Sequence, residues 1–316
     1  MPIPAGILLG AIPYNKPALT YEQQLDLKLI PRGLVIEDRA RALGWLRRVG
    51  YYRLSGYLYP YRVSAVDDNF RAGATFDTAV SVYKFDCELR LLLLQAIDRI
   101  EVAIRASITY HLGHELGPFG HMNPASYKPY VPPIAPGTSA QGLDFKDFCG
   151  KVVNAEKQSS EVFVTHYRAK YSNPDLPVWM LTEIVSFGFL SRLTENLIDK
   201  HIQRKIARDF GLSQSQLLSW LQSLCYIRNV CAHHGRLWNR TLSVKPELTP
   251  KWRKQGVTRD RLYVVLLMIL HLLEQIAPRS QWKKRMRDQL LSNMDVSLSP
   301  MNCPDDWYQR EPWIAV

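Results

Sequence analysis

The sequence predicts an all-α protein, a helical bundle with an N-terminal helical extension and an irregular proline-rich insertion. Three observations carry this. Apolar residues recur at helical spacing over several long windows. Strand-like alternation is scarce, with at most a short hairpin near 58–72. Proline and glycine gather in a few breaks, so the stretches between them read as continuous elements. With 316 residues, 47% of them apolar, the chain can bury a sizeable core. A charged fraction of 22% argues against wholesale disorder.

In chain order, short helices are expected at 20–30, 36–49 and 76–83, the last leading into a long helix over about 78–112. In that helix Leu89, Leu93, Ala96, Ile100 and Ala103 repeat at spacings of four and three, so they share a buried face that Ser107 continues. Arg90, Asp98, Glu101 and Arg105 are expected on the solvent face, with Glu101 and Arg105 spaced for an i,i+4 pair. Residues 113–150 hold twelve prolines and glycines and read as the irregular insertion. Helices follow at 159–170, 179–198 and 200–210. Ser213-x-x-Gln216 suits a capping box, opening a helix that runs through Arg228. Residues 261–277 are apolar nearly all round, which predicts a central helix. Further breaks fall at Ser172–Pro177 and Lys245–Gly256. The tail starts basic, with Arg279, Lys283, Lys284, Arg285 and Arg287, and ends in a Trp- and Pro-containing segment expected to pack on the bundle. The expected division is 1–75, 76–278 and 279–316.

The formal charge is +11, and it is unevenly placed. Residues 201–261 carry twelve Lys/Arg against three Asp/Glu, whereas 262–316 carry six against six. Clustered positive charge attracts polyanions. The five cysteines form no Cys-x-x-Cys pair, so a reducing compartment with mostly buried thiols is expected. The first residues lack a basic signal-peptide start, and the apolar run Leu262–Leu270 is too short to span a bilayer. A soluble cytoplasmic protein without a membrane partner is the expectation.

The segment from Tyr226 to Arg240 carries the chemistry. Read as one helix, it places Asn229, His233, Arg236 and Arg240 within about 60° of each other. Leu224, Ile227, Cys231 and Trp238 then face the core. Arg228 lies about 100° off the polar stripe, and Gly235 is placed to end the helix. Histidine is the usual acid or base near neutral pH. Arginine matches phosphate geometry, and asparagine can position a phosphate without adding charge. RNA supplies its own nucleophile, the 2′-OH, so this set suits RNA cleavage without a metal and disfavours DNA. The same residue types equally make a plain hydrogen-bonded surface; the surrounding charge tips the reading toward function.

Arg228-Asn229-x-x-x-His233 resembles the R-x4-6-H signature of HEPN ribonucleases. The wider chain resembles the Abi family of AbiD/AbiF-like abortive-infection proteins. The resembling stretches include Lys16 to Gln24, Gly50 to Tyr57, Tyr83 to Asp86, Leu89-Arg90, Arg99 to Val102, Leu176 to Met180, Ser186 to Gly188 and Arg228 to Arg240. The resemblance implies an HEPN-like bundle and toxin-like RNA cleavage in bacterial phage defence. It also implies a homodimer that completes the site and a small non-coding RNA that restrains it.

The expected catalytic residues are therefore Arg228, Asn229 and His233, supported by His234, Arg236 and Glu101. RNA contacts are expected from Arg240, Lys245, Arg204, Lys205 and Arg53. No cofactor is expected: Walker loops, G-x-G-x-x-G and H-E-x-x-H are absent. No metal is expected either, because His111, His114, His121 and His166 lack carboxylate or cysteine partners at supporting spacing. Glu183 is a weaker acid/base candidate, and Tyr51, Tyr52, Arg53 and Tyr57 suit base stacking or plain packing. The alternative to a nuclease is a non-catalytic regulator or scaffold holding a structured RNA.

Overall fold

The computed structural model describes residues 14–133, 141–293 and 295–314. Among the described residues thirteen α-helices form and no strand does, only isolated bridges. The helices are α1 (Tyr21–Gln24), α2 (Arg39–Val49), α3 (Tyr51–Leu58), α4 (Phe76–Leu116), α5 (Phe145–Gln158), α6 (Val162–Lys170) and α7 (Val178–Ile184). They continue as α8 (Phe187–Asn196), α9 (Lys200–Asp209), α10 (Gln214–Ala232), α11 (Pro250–Lys254), α12 (Leu262–Ile276) and α13 (Trp282–Ser292).

The 41-residue α4 is the hub. Thr75 caps its start, accepting the Thr78 amide at 3.0 Å. Gly117, at φ 73°, ends it. Leu89, Leu93, Ala96 and Ile100 are buried as their spacing predicts, and the stripe continues through Ile104, Ile108 and Leu112. Around it pack α3, α7, α9, α10, α12 and α13. Burying each such leucine or isoleucine contributes about 1.5–3 kcal/mol, so Ile100→Ala is expected to cost about 2–5 kcal/mol. In α12 eleven of fifteen residues are buried, including Val264 to Leu270 without a gap. The single apolar cluster reaches from Leu25 to Trp313. The segment before α4 is stapled to its start: the Val35 amide donates to Ala74 at 3.0 Å and the Phe76 amide to Val35 at 2.9 Å.

Four expectations change. The insertion is shorter than 113–150, because α4 runs to Leu116 and α5 begins at Phe145. Asp144 caps α5, and Phe148 and Val152 seat it on the core. Residues 134–140 of the insertion lie outside the described residues. The helix expected at 179–198 is two, broken where Ser186 turns to cap α8. The hairpin near 58–72 reduces to one antiparallel bridge, Arg62 with Phe70. Finally, Arg90 is not on the solvent face of α4; it is only 5% exposed. No helix among the described residues is long and apolar enough to cross a membrane.

Candidate active site

The expected α10 start is observed, with Ser213 and Gln216 forming a reciprocal capping box. Leu217, Leu221, Leu224, Ile227 and Cys231 are buried, which fixes the helix against α4 and α8. The opposite side carries Arg228 and Asn229, both exposed, with the Arg228 guanidinium 3.4 Å from Asn229 Oδ1. The helix ends at Ala232, earlier than a stripe reaching Arg240 requires. His233 is the first residue past it and His234 adopts the left-handed conformation at φ 56°. The His234 amide donates to Cys231 at 3.0 Å, and the Gly235 amide to Val230 at 2.7 Å. That double closure is a Schellman turn, with a histidine where glycine is the usual occupant.

The continuous helical stripe is therefore corrected. Asn229 and His233 remain one turn apart, linked by the His233 amide donating to the Asn229 carbonyl at 3.0 Å. Arg236 and Arg240 leave the helix and take other partners. Arg228, Asn229, His233 and His234 are all exposed around the α10 terminus.

What holds this turn is a buried polar node that sequence reading did not single out. Asp86 of α4 is 0% exposed. It accepts from Tyr57 Oη at 2.7 Å, from Arg90 Nη1 at 2.5 Å, and from the backbone amides of Trp238 at 2.7 Å and Leu237 at 3.2 Å. A buried carboxylate is tolerable only when its oxygens are met this fully. Burial and the Asp86 carboxylate together push the Tyr57 phenol far above its ordinary range, so it stays a donor. Burial alone would lower Arg90, but Asp86 and Tyr57 raise it on balance.

Three successive carbonyls of the turn each accept from an arginine. His234 takes Arg53 at 2.5 Å, Gly235 takes Arg90 at 3.4 Å, and Arg236 takes Arg240 Nε. Arg236 itself donates to the Gly56 carbonyl and lies over the Tyr57 ring, 6.0 Å from its centroid. Burial lowers the Arg236 guanidinium below the usual arginine range. Backbone carbonyl oxygens left without an amide partner past a helix end need donors, which these arginines supply. The result is a loop tied by hydrogen bonds to α3 and α4, beside an exposed Arg/Asn/His group.

The other expected residues fall as follows. Glu101 is engaged with Arg105 at 2.8 Å, and Arg105 also donates to Val185 at 2.9 Å. Glu101 is nonetheless near α10, because after burial its charge is the next cause holding the Cys225 thiol up at about 12. Burial likewise raises Cys231 to about 12, so neither thiol is a nucleophile at neutral pH. Lys205 pairs with Glu115 of α4. Arg204 and Lys245 are exposed. Glu183 lines a cleft of about 580 Å³ between α5 and α8, away from the turn's partners. Tyr52 is 90% exposed beside Arg53, whereas Tyr57 is buried.

The histidines set aside for metal are dispersed in role. His111 meets Asp209 at 2.9 Å, His114 meets the Tyr110 carbonyl at 2.8 Å, and His166 is exposed. His121 is buried, and burial holds it neutral down to about pH 4. Among the described residues no three His, Cys, Asp or Glu side chains gather as a metal site.

A signal for the missed node was present. Val82, Asp86, Leu89 and Leu93 share one stripe at spacings of four, three and four. An acid at a core position, with an arginine four residues on, marks a buried pair.

Fold and site together define an all-helical protein that presents an Arg-Asn-x-x-x-His cluster on a turn braced by a buried Asp–Arg–Tyr node. The family profile described as Abi-like protein matches residues 44–239, from α2 through this turn. The chain belongs to that family, which places it among the abortive-infection proteins of phage defence. No curated protein and no solved structure matches it.

Proposed function

We propose that the protein is a metal-independent endoribonuclease of the HEPN type, acting in abortive infection. The observation that carries this reading is the joint exposure of Arg228, Asn229 and His233 at a helix end whose following backbone is hydrogen-bonded to the buried Asp86. His233 takes the proton of an RNA 2′-OH, and the oxygen attacks the adjacent phosphorus. The P–O5′ bond breaks and the departing 5′-oxygen receives a proton. The products are a 2′,3′-cyclic phosphate and a 5′-hydroxyl. Arg228 offsets charge on the phosphoryl oxygens and Asn229 orients the group. A pentacoordinate phosphorane-like transition state needs both a proton acceptor and a donor, while one chain offers one His233. A second copy, turn facing turn, supplies the other. Restraint by a small RNA suits the same exposed surface.

The test is cleavage of single-stranded RNA by the full chain in excess EDTA, with end-group analysis. Wild type is expected to cut and leave cyclic-phosphate ends, and His233→Ala is expected to lose the activity. Undiminished cutting by His233→Ala would overturn the assignment. Tight, salt-dependent RNA retention with no cutting by wild type would instead select the non-catalytic scaffold.

A further inference from the structure

The basic start of the tail has no part in the α10 turn, yet it builds a cleft. Where α12 ends and α13 begins, Arg279 and Arg285 meet Arg99 of α4 around a space of about 270 Å³. Trp282, Ala96 and Leu273 line it and are buried or nearly so. Trp282 is fixed by its indole N–H, which donates to the Leu92 carbonyl at 2.7 Å. Gln95, Ser280 and Gln281 complete the lining, which holds no carboxylate among the described residues. Arg99 donates to Ser280 Oγ at 3.3 Å and Arg285 to Gln95 Oε1 at 2.5 Å, so these partners are neutral. An adjoining cleft shares Arg279, Ser280 and Gln281 and adds Lys284 and one acid, Glu274.

Three exposed guanidiniums around one small cleft, on a firm apolar floor, raise a local positive potential that an anion relieves. Guanidinium forks match phosphate oxygens in particular. Arg99 lies thirteen residues beyond Asp86 on α4, about 20 Å along the helix. We propose that the cleft framed by Arg99, Arg279 and Arg285 is a phosphate-binding site, holding backbone phosphates of an RNA strand apart from the α10 turn. RNA as the ligand rests on the nuclease reading; the anion site itself does not.

The experiment uses full-length protein carrying His233→Ala, so that bound RNA is not cut. Affinity for a labelled single-stranded RNA is measured across a salt series, with and without Arg99→Gln, Arg279→Gln and Arg285→Gln together. Each lost single-strand phosphate contact lowers the slope of log affinity against log salt by about 0.7, so a fall of about 2 is expected. The corresponding triple lysine variant is expected to retain most of the slope, since the charges remain. Inorganic pyrophosphate is titrated into the same proteins by calorimetry. Loss of pyrophosphate binding with an unchanged RNA slope keeps the phosphate site and reassigns its ligand to a free oligophosphate. Unchanged RNA slope and unchanged pyrophosphate binding in the glutamine variant would overturn the proposal. None of these readouts depends on whether wild type cuts RNA.

Discussion

Residues 201–261 hold twelve Lys/Arg and three Asp/Glu, and residues 262–316 hold six of each. The folded chain engages many of the first stretch's cations in backbone and ion-pair contacts, so the totals overstate what that stretch offers a ligand. In the first, Arg236 and Arg240 bind carbonyls, Arg259 binds the Pro246 carbonyl at 2.7 Å, and Arg261 binds Asn239 at 3.0 Å. Lys205, Lys251 and Arg253 pair with Glu115, Glu311 and Glu247. Arg236 and Arg240 brace the turn, whereas Arg204, Arg208, Arg228, Lys245 and Lys254 are exposed, as are the paired Lys251 and Arg253. In the second stretch, Arg279 and Arg285 frame a cleft with no acid on its walls among the described residues. Charge density along a chain thus differs from charge offered to a ligand. A guanidinium that meets a carbonyl behind a turn has part of its donor set already engaged and its position fixed there.

The contrast can be broken by substitution, and the largest effect belongs to the node under the turn. Asp86→Ala leaves Arg90 buried without its counter-charge and two amides without an acceptor. It is expected to cost about 3–5 kcal/mol in urea unfolding. A loss below about 1 kcal/mol would mean that the node does not hold the turn.

Arg236→Ala comes next, at about 1.5–3 kcal/mol, because a charged hydrogen bond to Gly56 disappears. Its RNA salt slope should match wild type. Joint glutamine substitution of Arg99, Arg279 and Arg285 should do the reverse, changing the salt slope while each position shifts stability by less than about 0.5 kcal/mol. If Arg236→Ala lowers the slope and leaves stability alone, the division between struts and binders fails.

Tyr57→Phe removes one donor from Asp86 and is expected to cost about 1 kcal/mol by the same unfolding measurement. The smallest effect is a gain. His234 holds a left-handed conformation that glycine adopts freely, so His234→Gly should stabilise by a few tenths to about 1 kcal/mol. Paired with a cleavage assay, this variant separates the two uses of His234. Unchanged cutting makes it only the closing residue of the turn, and loss of cutting gives it the supporting role expected from the sequence.

Much of the architecture was legible beforehand. The stripe from Leu89 to Ile100, the all-round apolarity of α12 and the Ser213–Gln216 cap are local periodicity and local hydrogen bonding, both written in neighbouring residues. Asn229 and His233 were expected one helix turn apart and they are, whereas Arg228, expected off that stripe, meets Asn229 Oδ1 at 3.4 Å. What was not legible needed partners distant in sequence. Asp86 reads at most as half of a buried pair with Arg90; its place under the turn emerges only when Leu237 and Trp238 donate to it from about 150 residues away. The early end of α10 goes with that capture: the amides of His233, His234 and Gly235 close on the helix's last carbonyls, and those of Leu237 and Trp238 turn to Asp86 of α4 instead of continuing a helix.

The sequence by itself determined the class of fold, the order of the long helices and the short motif that ends α10, because each depends on residues three or four apart. Tertiary structure alone decided which arginines are free for a ligand. It also decided that Arg236 and Arg240 leave the helix, so that the Arg/Asn/His group is confined to the last turns of α10 and the braced turn after it. The physical reason is that burial and hydrogen-bond satisfaction are properties of the assembled neighbourhood, and a side chain's charge says nothing of what will surround it.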